Sequence, residues 1–223
     1  MALECGHPLT KRLPASSSSV SQRTQLTVLW HVEPDQELMS MQDYERGRRI
    51  GQGAFGCALL VTRKKDGKRL VAKEINVVSL PEKEQLNAMQ EVDVMRALKH
   101  VNIITLHKHF LEGGNLYIIM EFAEGGDLAG FLKKAKASGK PLPESKVVET
   151  VGHILAGLEH VHAKKLLHRD IKPANVLLSK DGVAKLADFG VSRMLAHTLE
   201  AAKTMIGTPY YLAPEVIESK GYR

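Results

Sequence analysis

Between His168 and Gly190 the chain reads HRDIKPANVLLSKDGVAKLADFG. Two short apolar runs separated by Lys-Asp-Gly form a hairpin signal. The turn centres between Asp181 and Gly182, and Asn175 and Asp188 stand equally far from that centre. Strands paired about it bring both side chains to the same open end. An amide oxygen and a carboxylate meeting there make a hard, oxygen-rich site suited to Mg2+. Asp170 and Lys172 lie just upstream. The same residues also read as a surface turn with solvated charges, and this stretch alone does not separate the two readings.

Two other features narrow the choice. In PEKEQLNAMQEVDVMRALKH, which reads as a helix, Glu91, Met95 and Leu98 share one face. A carboxylate on an apolar face is costly unless paired. Lys73 sits mid-strand in VAKEI, with Val71 and Ile75 on its side of the pleat. The two charges solve one problem together, unless both turn to solvent. The stretch GQGAFG (Gly51 to Gly56) is a G-x-G-x-x-G pattern whose glycines let backbone N–H groups close over phosphates. A dinucleotide fold needs a helix after it; here a strand follows.

The chain has 223 residues, 43% hydrophobic and 25% charged, with a net charge of +6. That suits a soluble globular protein. No apolar run approaches the roughly 20 residues of a membrane span, and no nucleic-acid motif or long basic run appears. Its two cysteines, Cys5 and Cys57, form no framework, so a reduced compartment is expected. Residues 1–40, with PASSSSVSQRT, read as a disordered Ser-rich leader. Alternatives for that segment are a transit peptide or a start at Met39 or Met41. From Tyr44 onward CALLVTRKKDGKRLVAKEI reads as a hairpin, NLYIIMEF as a strand and PESKVVETVGHILAGLEHVH as a helix. The apolar face of that helix runs through Val147, Val151, Leu155, Leu158 and His162.

Taken in order, GQGAFG, VAK, Glu91, HRDIKPAN, DFG (188–190) and APE (213–215) resemble the eukaryotic protein kinases, over about 165 residues. The resemblance implies an α+β, two-lobed kinase fold: a β-rich first lobe and hinge over 41–123 and a mostly helical, incomplete second lobe over 124–223. It implies ATP and Mg2+ as cofactors. Asp170 would orient the substrate hydroxyl and accept its proton, and Lys172 would neutralise charge on the transferring group. Lys73, positioned by Glu91, would grip phosphates, while Asn175 and Asp188 would hold Mg2+. The nucleotide would lie among Ile50, Gly51, Gln52, Gly53, Ala54, Phe55, Gly56, Ala58, Ala72 and Lys73. Met120 resembles a gatekeeper, Glu121 to Ala123 the hinge, and Asp127 the ribose-contacting acid. Met95, Leu106, His168 and Phe189 resemble the regulatory spine. A lysine two residues after Asp170 marks the Ser/Thr-kinase pattern.

YERGRRIGQGAFG, MEFAEGGDL and GTPYYLAPE, with paired Tyr210 and Tyr211, are similar to the NIMA-related (Nek) branch. That likeness implies phosphorylation of Thr204, pairing of the phosphate with Arg169, and contact of Thr208 with the catalytic loop. It implies protein substrates bearing Ser or Thr, no nucleic-acid or membrane partner, and a cytoplasmic location with cytoskeletal, centrosomal or ciliary association. Three departures stand out: Ala58 where the family has valine, Val101 for a proline, and Cys57 beside the glycine loop. The sequence stops eight residues after Glu215. The expectation is an uncovered face on the 144–162 helix, open to a regulatory partner. Alternatives are a truncated nucleotide- or partner-binding module without turnover, or a fragment of a longer active kinase.

Overall fold

The computed structural model describes residues 40–52, 56–168, 170–189 and Tyr211. A five-stranded antiparallel sheet of order β1-β2-β3-β5-β4 makes the first lobe. Its strands are β1 (Tyr44–Gln52), β2 (Gly56–Arg63), β3 (Arg69–Asn76), β4 (Leu106–Glu112) and β5 (Asn115–Glu121). Helix α1 (Glu82–Ala97) lies between β3 and β4 in the chain. The second lobe holds β6 (Gly126–Asp127), α2 (Leu128–Ala137), α3 (Glu144–Ala163), β7 (Val176–Leu178) and β8 (Ala184–Leu186), with the strands in order β6-β7-β8. The fold is therefore the expected α+β, two-lobed arrangement. Strand β4 and helix α2 were not foreseen.

The pleat divides the large sheet into two working faces. Val61, Leu70, Ala72, Tyr117 and Ile119 pack with Met41 and Tyr44 into a core on one face. Ser40 caps the turn that seats Met41, whose N–H donates to the Glu112 carboxylate at 2.8 Å. The other face carries Ala58, Val71, Lys73, Ile118 and Met120, set side by side by the pairs Ala58 with Lys73, Lys73 with Ile118, and Val71 with Met120. Gly56 has a packing reason to be glycine: a Cβ there would lie 1.7 Å from the carbonyl oxygen of Glu74. The last glycine of GQGAFG is thus required by strand pairing, whatever its service to phosphates.

Residues 102–105 brace the two lobes. Asn102 accepts from Leu186 N at 2.9 Å and donates its side-chain amide to Ala184 O at 3.0 Å; Ile104 N donates to Leu186 O at 2.9 Å. Helix α3 rests on this brace through Gly157 and Val161, both buried. The periodicity singled out another face. Val147, Val151 and Leu155 are 45%, 48% and 59% exposed, and His162 is exposed too. The helix is apolar on two sides, so a count of apolar positions alone could not tell the packed side from the open one.

A methyl group at Gly157 would sit 2.8 Å from Asn102 O, a backbone atom that cannot swing aside, and 3.0 Å from Leu186. Nothing lies within 4 Å of a methyl group at Gly152 on the same helix. Gly152→Ala is therefore expected to raise the melting temperature, gaining about 0.5–1 kcal/mol of helix propensity. Gly157→Ala is expected to lower it, because overpacking of about 1–3 kcal/mol outweighs that gain. Thermal unfolding of both variants checks the opposite signs.

Candidate active site

Three elements bring charge together beneath the large sheet. Lys73 Nζ on β3 lies 2.7 Å from Glu91 Oε1 on α1, and Glu91 is only 8% exposed. The ammonium also lies 3.8 Å from Asp188 Oδ1, just past β8. Burial alone would lower the Lys73 pKa, but the Glu91 and Asp188 carboxylates outweigh it and hold the group above its ordinary 10.5. The reading in which both charges turn to solvent is excluded by this geometry.

The polar knot forms a second cluster. Asp170 Oδ2 accepts from Lys172 Nζ at 2.7 Å and from Asn175 Nδ2 at 2.7 Å. Asn175 Nδ2 also donates to Asp170 O at 2.9 Å. Both acceptors claim the nitrogen end of the amide, so Asn175 Oδ1 faces away from Asp170. The side chain of Asp188 is 49% exposed, and its backbone is left-handed at φ +59°. Few residues other than glycine hold that conformation, and aspartate is among those that do. These are hard oxygen donors. Among the described residues no three His, Cys, Asp or Glu side chains gather to hold a metal. An amide oxygen and one carboxylate instead fit Mg2+, which keeps waters and substrate phosphates in much of its shell.

The hairpin register differs from the one expected. Val176 pairs with Leu186 and Leu178 with Ala184, so the ladder centres on Asp181 itself. Ser179 N donates to Val183 O and Gly182 is left-handed at φ +80°, a three-residue loop. Asn175 therefore faces Ala187, whose N–H donates to Asn175 O at 3.0 Å. Asp188 comes one residue later, where its left-handed turn redirects the chain.

A second correction concerns Ala72. It is fully buried in the core with Leu70 and Ile119, on the opposite face of β3 from Lys73. Val71 shares the face of Lys73 and pairs with Met120. Val71 therefore stands beside Lys73 where Ala72 was expected; the alternation that grouped it with Lys73 was the available signal. Cys57 lies opposite Glu74, on the same side of β2 as Leu59 and Val61, and so faces away from Lys73. Ala58 does lie on the Lys73 side. Gly51 is half-buried, and Ile50 and Gln52 are exposed at the end of β1. Gln52 accepts from Arg49 and donates to Gly56 O.

Met120 packs with Leu177 against Ile104, Ala123 and Ala187, an apolar wall between the hinge and Asp188. The Leu177, Ile104 and Ala187 contributions were missed, because their separation in sequence hides their proximity. Asp127 caps α2, accepting from Gly130 N at 2.7 Å. Buried His168 donates through Nε2 to Ala187 O at 2.9 Å and accepts from Asp170 N at Nδ1, which fixes a neutral tautomer. Its ring lies 4.7 Å from that of Phe189, and Met95 is buried as well. Gly53, Ala54, Phe55, Arg169, Thr204 and Thr208 lie outside the described residues.

The protein kinase domain model matches residues 44–223. The chain belongs to the protein kinase domain family. Its curated relatives include Nek kinases. Serine/threonine-protein kinase Nek1 of Mus musculus is 44% identical over 182 residues, which span 82% of this chain and 15% of that protein. Serine/threonine-protein kinase Nek5 of Homo sapiens is 44% identical over 183 residues, 82% of this chain and 26% of its own. Serine/threonine-protein kinase Nek2 of Mus musculus is 39% identical over 189 residues, 82% and 43% respectively. The chain therefore spans less than half the length of each of these relatives, and its kinase domain is Nek-like.

Two outcomes follow from the electrostatics. Lys73→Met strands the Glu91 carboxylate in an apolar setting. It is expected to cost about 1–3 kcal/mol in denaturant unfolding, less than the full penalty for a wholly buried pair because Lys73 is partly solvated. Adding Glu91→Leu should recover part of that loss. Burial pushes His168, His107 and His109 below their ordinary 6.5, helped by Lys68 and Arg63 at His107 and by Arg96 at His109. A base held low in the folded chain binds protons better when unfolded. The stability it confers is therefore present above pH 6.5 and lost as pH falls below that value. Melting temperatures at pH 7.5 and 5.5 should differ in that direction.

Proposed function

We propose that this chain is the catalytic part of an ATP- and Mg2+-dependent protein kinase that phosphorylates Ser or Thr, of Nek type. The observation that carries the reading is the Asp170–Lys172–Asn175 cluster. One carboxylate oxygen of Asp170 is held by two donors, which leaves Oδ1 to face a substrate hydroxyl and take its proton. Lys172 then lies beside the attacking hydroxyl oxygen, where its charge offsets that of the transferring phosphoryl group. Lys73, kept cationic by Glu91, grips the nucleotide phosphates from above. Val71, Ala58, Met120 and Leu177 enclose the adenine, with the Glu121–Ala123 backbone as its hydrogen-bonding edge. The free oxygen of Asp127 serves the ribose. Asn175 Oδ1 and Asp188 hold Mg2+, which when bound neutralises charge on the phosphates.

In this reading residues 41–123 form the first lobe and hinge and 124–223 belong to the second. Thr204 is the activating phosphosite, with Arg169 as its partner, and Thr208 contacts the catalytic loop. Substrates are proteins bearing Ser or Thr. No helix among the described residues is long and apolar enough to cross a membrane. Cytoplasmic work at the cytoskeleton, centrosome or cilium follows the Nek resemblance, and the exposed Val147–Val151–Leu155 stripe offers a face to a protein partner.

Asp188→Ala is expected to leave the melting curve cooperative while reducing phosphate transfer by about a thousandfold or more. The check is incorporation of labelled phosphate into a generic protein substrate beside thermal unfolding. Near-wild-type turnover would remove Asp188 from the metal site.

A further inference from the structure

Asp188 is weakly held from the front. Its carboxylate is half exposed, its Lys73 contact is 3.8 Å long, and its backbone is left-handed. The three-residue strand β8 that delivers it is too short to fix its own position. What lies behind that strand is better defined.

Glu121 ends β5 at the hinge, and its N–H is committed to Thr105 O at 2.9 Å. Its side chain turns away from the nucleotide face. Oε1 lies 2.9 Å from Lys185 Nζ, and Oε2 accepts from Lys185 Nζ and from Thr105 N, each at 3.2 Å. Lys185 is the middle residue of β8, and its side chain is only 12% exposed. Its neighbours Ala184 and Leu186 point the other way, into the core. Asp188 follows three residues later. The brace over residues 102–105 is bonded to both partners, to Glu121 through Thr105 and to β8 through Asn102 and Ile104. Ile103 adds a parallel bridge to Leu186.

We infer that the Glu121–Lys185 pair positions the metal-bearing end of the site against the hinge. It sets how far Asp188 stands from the groups that hold adenine, without touching nucleotide or substrate. A partly buried ion pair adds little net stability but is costly to break from one side, which suits a spacer between two sites. Glu121 thus has two separate duties, with its backbone serving the hinge and its side chain serving β8. The inference rests on the kinase reading above.

The test uses the full chain with Lys185→Met, Lys185→Arg, Glu121→Gln and the Lys185→Met/Glu121→Gln pair. KM is measured for Mg-ATP and for a protein substrate, together with the Mg2+ concentration at half-maximal rate and binding of a fluorescent ADP analogue. Lys185→Met and Glu121→Gln should each raise the Mg-ATP KM and the Mg2+ requirement about fivefold or more, and the double variant should be no worse than either. The protein-substrate KM should not move. Lys185→Arg, which keeps a cation able to grip both carboxylate oxygens, should stay within about twofold of wild type. Glu121→Gln preserves volume and the Thr105 bond, so it reports even if Lys185→Met folds poorly. Unchanged nucleotide and Mg2+ constants, or equal rises in both KM values, overturn the inference. So does an arginine variant that behaves like methionine. Wild type and Asp188→Ala run alongside. A wild type that neither binds nucleotide nor transfers phosphate overturns the kinase reading and this inference together, whereas an active wild type with indifferent pair variants overturns the pair alone.

Discussion

The arrangement turns on the Lys73–Glu91 ion pair. An ammonium on β3 and a carboxylate on the buried face of α1 are each unfavourable alone, so sheet and helix must meet where the charges meet. Pro81 offers no side-chain cap, and the buried set on the helix is Ala88, Glu91, Val92 and Met95. The pair therefore sets the rotation of α1 about its axis, and with it the inward position of Met95. Because the same ammonium reaches Asp188, three elements far apart in sequence share one electrostatic centre.

A second constraint is steric. Residues 102–105 run between α3, β8 and the hinge, with little space left over. Gly157 exists to admit them, and the two hydrogen bonds between Leu186 and the brace make it an extra, irregular strand for β8. A three-residue strand gains its rigidity from these neighbours and not from its own length. Strand β8, which leads to Asp188, thus stands on a scaffold built from loop backbone as much as from regular structure.

Much of this was legible in the sequence. Lys73 and Glu91 betrayed themselves as charges in apolar company, and the Asp66–Gly67 hairpin and helices α1 and α3 followed from turn chemistry and periodicity. Strand β4 escaped because LHKHFLE carries two histidines and a lysine where alternation should show, and most of its residues are only half-buried. Helix α2 escaped because it buries no residue and is rich in lysine. The register of β7 and β8 was misjudged by one because the turn holds three residues and not two. Period-two alternation had already placed Val71 beside Lys73, and applied consistently it would have kept Ala72 off the face that carries Lys73. Residues such as Leu177 and Ala187 meet only through tertiary packing, which no local pattern encodes.

The side on which Cys57 lies bears on chemical probing of the protein. Although it follows the glycine loop directly, the pleat of β2 turns its thiol toward Glu74 and the outer core, while Ala58 looks into the cleft. In the proposed nucleotide site, an electrophile carried on an adenine-like scaffold would meet the Ala58 methyl group and not the Cys57 thiol. Labelling of Cys57 must come from outside the lobe, so a reporter dye placed there would watch the sheet breathe without competing for the cleft.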